Sequence, residues 1–205
     1  MPGFVIVVDM QRDFVAADGA LPVPDAEAIV APMQAWLAAL DPAAVAGVLM
    51  TFDTHVPHIY AGSLEATEFP IHCEQGTPGW ESVLDAGVID PTIPVYRLTK
   101  GVFDMWAEPD LNVQPYDGGE GIDRDGFFDG LKAQGVGAVT VVGVAADYCV
   151  RWAVQGLVAR GFSVTMPTAL TRGIAMDAPA VIAELAMRGD VTAENQPATG
   201  AKLSA

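Results

Sequence analysis

The sequence predicts a doubly wound α/β domain, in which a mainly parallel β-sheet carries helices on both faces. Three observations carry that prediction. Strand-like apolar runs alternate with helix-like segments along the chain. These runs are apolar at successive positions rather than at every second one, as strands covered on both faces require. The chain of 205 residues is also 51% hydrophobic and only 18% charged, enough for one well-buried core, so residues 1–205 read as a single domain.

FVIVV (4–8) is the first strand and ends at Asp9. A helix is expected over 25–40, with Asp25 as its cap and Pro32 as a kink or as its real start. VAGVLMTF (45–52) ends at Asp53, and IPVYRLT (93–99) ends at Lys100. The stretch 108–126 is rich in Gly, Pro and Asp and reads as a long surface loop. DGFFDGLKAQG (125–135) is a helix closed by Gly135. VGAVTVVGV (136–144) is the next strand, followed by a helix from about Tyr148 to Arg160 that stops at Gly161. FSVTMP (162–167) and a helix over 177–189 complete the alternation. The tail after about residue 194 reads as frayed, or as an arm that contacts a partner.

Charge narrows the partners. The formal net charge is −16, from 26 acidic and 10 basic residues, and such a surface repels phosphate backbones and anionic lipid. Neither nucleic acid nor a membrane is expected as a partner. No apolar run approaches the ~20 residues that span a bilayer. MPGFVIVVDMQRDF lacks a basic start and is interrupted by Asp9, so it does not read as a signal peptide, and a cytoplasmic location is expected. The two cysteines, Cys73 and Cys149, then read as free thiols rather than a disulfide.

Asp9, Asp53, Lys100 and Cys149 each fall at or just past the C-terminal end of a predicted strand. In open α/β sheets the ligand crevice lies outside those ends, so four reactive side chains converge on one place. Cys149 occupies the first turn of a predicted helix, where N–H groups, the helix dipole and a nearby lysine favour a thiolate. Asp9 is placed to take the thiol proton or to activate water, and Lys100 to organise the charges. The turn GVAADYC offers backbone N–H groups for an oxyanion, those of Ala145 and Cys149 above all. A free cysteine alone is usually a small buried hydrophobe. The chain, however, has only three lysines, and one stands at a strand end beside two other reactive types.

All three histidines fall within DTHVPHIYAGSLEATEFPIHCEQGTPG (53–79). Asp53 and His55 share one side of an extended segment, and His72 and Glu65 lie in the same window. Two imidazoles with carboxylate oxygens suit one divalent ion, zinc first, with manganese or iron as alternatives. His58 is an additional candidate, while Cys73 points away from His72 and reads as a packing residue or as a support behind the metal ligands.

Taken together, these segments resemble the nicotinamidases of the isochorismatase-like cysteine hydrolase superfamily. VVDMQRDFV with ALPVP is similar to the first-strand motif, DTH with FPIHCEQGTPG to the metal segment, TKG (99–101) to the lysine motif, and VVGVAADYCV to the nucleophile motif. The matches run from residue 4 to about 160 in the family's order. The resemblance implies a three-layer Rossmann-type α/β/α fold, an Asp9–Lys100–Cys149 triad and a cis peptide between Val144 and Ala145. It implies a metal on Asp53, His55 and His72, with Glu65 as the fourth ligand seen in some members. Phe14 and Phe69 match the aromatic positions that sandwich a substrate ring, and Trp106 is a third aromatic candidate. The implied reaction is hydrolysis of nicotinamide to nicotinate and ammonia, through a cysteine thioester, in a homo-oligomer. Another small-amide or ureido hydrolase, of the N-carbamoyl or maleamate type, is the alternative. Ala146 departs from the Thr common in relatives.

Overall fold

Successive side chains of β1 (Gly3–Val8) point to opposite sides of the sheet, and both sides are apolar. Phe4, Ile6 and Val8 enter one core cluster, while Val5 and Val7 enter the other. That is the physical meaning of an unbroken apolar run: one strand feeds two cores. The computed structural model describes residues 1–187 and 191–192 of the chain.

Four further strands continue the parallel arrangement: β2 (Val45–Asp53), β3 (Val95–Lys100), β6 (Ala138–Gly143) and β7 (Ser163–Thr165). Two short strands, β4 (Asn112–Pro115) and β5 (Ile122–Asp123), pair antiparallel at one edge, and β8 (Val191–Thr192) adds a parallel strand at the other. The sheet order is β5-β4-β3-β2-β1-β6-β7-β8. From β1 the chain winds outward through β2 and β3, then returns to β6 on the other flank of β1. The strand order therefore reverses direction between β1 and β6, and a crevice opens at that point.

The helices are α1 (Arg12–Val15), α2 (Val30–Ala38), α3 (Pro57–Tyr60), α4 (Arg124–Ala133), α5 (Cys149–Ala159) and α6 (Ala178–Met187). Buried apolar residues of α2 belong to the Val5/Val7 cluster, and those of α4, α5 and α6 to the Phe4/Ile6/Val8 cluster. Gly135 and Gly161 follow α4 and α5 with φ of 84° and 81°, the left-handed stop expected of a glycine C-cap.

Three expectations need correction. The stretch 108–126 is not only a loop, since it holds β4 and β5. β4 buries only Val113 and ends at Pro115, so its sequence lacks the alternation that marks a strand; edge positions tolerate both features. The helix expected over 25–40 begins later, at Val30, after a 3₁₀ turn at Glu27–Ile29. Pro32 therefore lies in the first turn, where its missing N–H costs nothing. Asp25 does not cap it: its φ is 57°, and the residue at the cap position, Ile29, makes no side-chain cap bond. The final residues expected in the last helix, 188–189, and the tail after 194 lie outside the described residues.

Candidate active site

The crevice between β1 and β6 is lined by groups that the strand ends deliver. Asp9 leaves β1 with φ 48°, a turn that brings its carboxylate back under Thr51. The Thr51 hydroxyl donates to Asp9 Oδ1 at 2.6 Å, and the Asp9 N–H donates to the same hydroxyl at 3.2 Å. β2 and β3 end in register, Asp53 opposite Lys100. On the other flank, Gly143 closes β6 with φ 116°, where an added Cβ would lie 2.1 Å from the Val8 carbonyl oxygen. Only a glycine lets β6 leave the sheet so close to β1. Five residues later, after a cis Val144–Ala145 peptide, Tyr148 stands at the N-cap of α5 and Cys149 is the helix's first residue.

Lys100 links these groups. Its Nζ lies 2.8 Å from Asp9 Oδ2 and 3.2 Å from Asp53 Oδ1, and it donates toward Cys149 Sγ at 3.4 Å. Asp9, Asp53, Lys100 and Cys149 are all buried. Such burial would strip Lys100 of its proton, but Asp53, Asp9 and Cys149 hold its pKa well above the usual lysine value. Burial likewise pushes the Cys149 thiol well above its ordinary value, with Lys100 opposing and Asp9 and Asp53 adding to the rise. This differs from the thiolate expected at a helix N-terminus beside a lysine: at this depth desolvation and two carboxylates outweigh the lysine. The thiol therefore stays protonated until a base takes its proton.

Within the turn, the Ala145 carbonyl accepts from Tyr148 N at 3.0 Å and from Val150 N at 3.1 Å, and Ala146 N donates to Arg172 O at 2.7 Å.

A second cluster adjoins the first through Asp53. His55 Nε2 and His72 Nε2 lie 3.1 and 3.2 Å from Asp53 Oδ2, and 3.5 and 3.2 Å from Glu65 Oε1. All four are buried, and one ligand-type atom from each lies within 4.8 Å of the other three. His72 Nδ1 donates to the Pro70 carbonyl at 2.8 Å, which leaves Nε2 as the atom facing the cluster. Burial lowers the pKa of both imidazoles, yet Asp53 and Glu65 outweigh it and bring each up to about 9. Asp53 stays well below the usual carboxylate range: burial opposes, and Lys100, His55 and His72 prevail. Glu65 Oε1 is buried and faces the two imidazole nitrogens. Two imidazoles and two carboxylates whose ligand-type atoms face one another fit a divalent cation, which would replace the imidazole protons. The chemistry of the donor set supports a divalent metal.

The other sequence candidates fall in different places. Phe14, buried on α1, has its ring centroid 5.1 Å from that of His72. Phe69 joins two aromatics the sequence did not single out, Tyr148 at 5.3 Å and Phe103 at 5.9 Å. Trp106 is not brought to the cluster. Its ring stacks under Arg160 at 3.8 Å and beside Phe128, and its Nε1 donates to Ala153 O at 3.3 Å. Against Gly156, seven residues along α5 from Cys149, it lies about 10 Å further down the helix axis. His58 is exposed on α3, apart from the four-residue group. Cys73 is buried with a free thiol, and its N–H donates to Asp13 Oδ2 at 2.7 Å.

Sequence reasoning also missed Thr51 and Gln11. The Gln11 amide donates to the Asp53 and Trp80 carbonyls at 2.8 Å each and accepts from Asp53 N at 2.7 Å, pinning the end of β2. The signal for Thr51 was present. It is the one hydroxyl in VAGVLMTFD and shares a strand face with Asp53.

Residues 4–193 match the family model described as the isochorismatase domain. The chain is 30% identical over 180 residues to a nicotinamidase/pyrazinamidase of Mycobacterium tuberculosis, covering 84% of this chain and 88% of that protein. It superposes on the pyrazinamidase of Pyrococcus horikoshii, solved in complex with zinc, with a TM-score of 0.71 and 25% identity, covering 95% and 99% of the two chains. The PnC1 protein of L. infantum, in complex with nicotinate, is similar at a TM-score of 0.67 and 28% identity, covering 94% and 96% of the two chains.

Proposed function

Because the chain belongs to the isochorismatase domain family, we propose that it is an amidohydrolase that converts nicotinamide to nicotinate and ammonia. The observation that carries this reading is the contact set of Lys100, which holds Asp9, Asp53 and Cys149 together at the mouth of the sheet.

Asp9 is the base. It takes the Cys149 thiol proton as Sγ attacks the carboxamide carbon, and the N–H groups of Ala145 and Cys149 receive the oxyanion. Each such donor contributes on the order of 3 kcal/mol to lowering the barrier. Asp9 then passes the proton to the departing ammonia, and the C–N bond breaks to leave a thioester. Asp9 next takes a proton from water, whose oxygen attacks the thioester carbon; nicotinate leaves and the thiol is restored. Lys100 holds one Asp9 oxygen in place throughout, and Thr51 fixes the other.

Asp53, His55, Glu65 and His72 would hold one divalent ion, with zinc first among the candidates, and that ion supplies a Lewis-acid anchor for the pyridine nitrogen. Phe14, beside His72, and Phe69, beside Tyr148, would flank the ring.

The test is ammonia release from purified protein given nicotinamide, before and after chelation. Release that falls on chelation and returns with zinc, manganese or iron supports substrate and metal together. No release from protein whose Cys149 still alkylates rejects nicotinamide as the substrate.

A further inference from the structure

Glu65 and His72 stand at the two ends of one segment of chain. Its start is a turn, in which the Glu65 carbonyl accepts from Glu68 N at 3.0 Å and from Phe69 N at 2.9 Å. Just past its end, Cys73 N donates to Asp13 Oδ2 at 2.7 Å, and the Cys73 carbonyl accepts from His55 N at 3.0 Å. Between these two anchors the backbone is held by a side chain from outside the segment. The Tyr60 hydroxyl oxygen lies 3.0 Å from the carbonyl oxygens of both Phe69 and Pro70, so its one proton is shared between them. The Pro70 carbonyl also accepts from His72 Nδ1 at 2.8 Å. Tyr60 and His72 therefore donate to the same oxygen, and the hydroxyl fixes the acceptor that orients the imidazole.

Tyr60 is built as a fixed post. It ends α3, where Pro57 presets the first turn, and it is 5% exposed. Its N–H donates to the Val56 carbonyl at 2.9 Å, and its own carbonyl accepts from Ser63 N at 2.8 Å. Its ring centroid lies 4.5 Å from that of His55 and 5.7 Å from that of His72. The ring thus packs against both imidazoles, and a phenylalanine would supply that much. The hydroxyl supplies something else. A buried tyrosine hydroxyl finds some partner as a rule; here the partner is the carbonyl that sets which way His72 Nε2 faces.

On the reading of Asp53, His55, Glu65 and His72 as a metal group, we infer that Tyr60 is a positioning residue for that centre. Its hydroxyl holds the 69–70 backbone so that His72 presents Nε2 to the ion already oriented. Tyr60 itself ligates nothing. Groups that orient metal ligands in this way account for roughly 10- to 100-fold in metal affinity.

Zinc titration of the chelated and dialysed protein, in competition with a chromophoric chelator, tests this on wild type and Tyr60→Phe. No nicotinamide is present, so the outcome does not depend on which amide is the substrate. Tyr60→Phe is expected to bind zinc about tenfold more weakly. The metal-free variant should melt within a few degrees of metal-free wild type, because the ring and its packing remain. Equal zinc affinity in the two proteins would overturn the inference alone. So would a metal-free variant that melts far below wild type, since the hydroxyl would then serve the fold rather than the ligand. No zinc binding by wild type would overturn the metal reading, and this inference with it.

Discussion

Thr51 shows how much of the site is made by residues that never touch the reacting atoms. Its hydroxyl holds one oxygen of Asp9 while Lys100 holds the other, so the base has a single orientation. Thr51→Val keeps the shape and removes the bond. A hydrogen bond to a charged group contributes ~1.5–3 kcal/mol, so kcat should fall by about 10- to 100-fold with KM little changed, and Thr51→Ser should restore most of it. Cys149→Ala should abolish turnover and leave the unfolding curve intact, read by ammonia release and circular dichroism. His72→Ala should lower bound metal, measured by elemental analysis, because it removes a ligand and exposes the buried carboxylates of Asp53 and Glu65 to one another. Asp9, Lys100 and Cys149 were legible in the sequence because charge or a thiol at the end of an apolar run is conspicuous. Thr51 left a fainter trace, a lone hydroxyl on the face of β2 that carries Asp53, and the role of Gln11 left none, since a neutral amide acts only through the carbonyls and N–H groups that the fold brings to it.

At the level of elements, the central parallel strands were readable and the edge was not. A strand buried on both faces must be apolar throughout, whereas β4 buries one residue and is held by pairing with β3 rather than by its composition. Two glycines in the well-read elements make sharp predictions. Gly143→Ala would place a methyl against the Val8 carbonyl in a left-handed conformation. It should destabilise the fold by more than ~3 kcal/mol in urea titration, or prevent folding. Gly156→Ala would drive into the Trp106 indole, with an expected cost of ~1–3 kcal/mol from overpacking. Since Trp106 packs with Arg160 and Phe128 away from Cys149, KM for nicotinamide should not move in that variant. A large shift in KM would restore Trp106 as a ring contact.

Across the whole molecule, the net charge of −16 sets a background of self-repulsion that the folded state bears more than the extended chain. Added sodium chloride shortens the screening length from ~10 Å at 0.1 M to ~3 Å at 1 M. The melting temperature should therefore rise with salt, and a scanning calorimetry series in chloride checks it. The acidity was visible in composition, but the sheet order was not: periodicity shows which segments are strands, not which will be neighbours.

That order has a kinetic corollary. β1 sits between β2 and β6, with Val8 paired to Gly143, so its last partner arrives only after most of the chain has been threaded into place. Pairings this distant in sequence are reached slowly, because loop closure costs entropy before any contact offsets it. On dilution from denaturant, helical signal should return early and hydrolysis late. The enzyme's own turnover then becomes a clock for closure of the sheet's central seam.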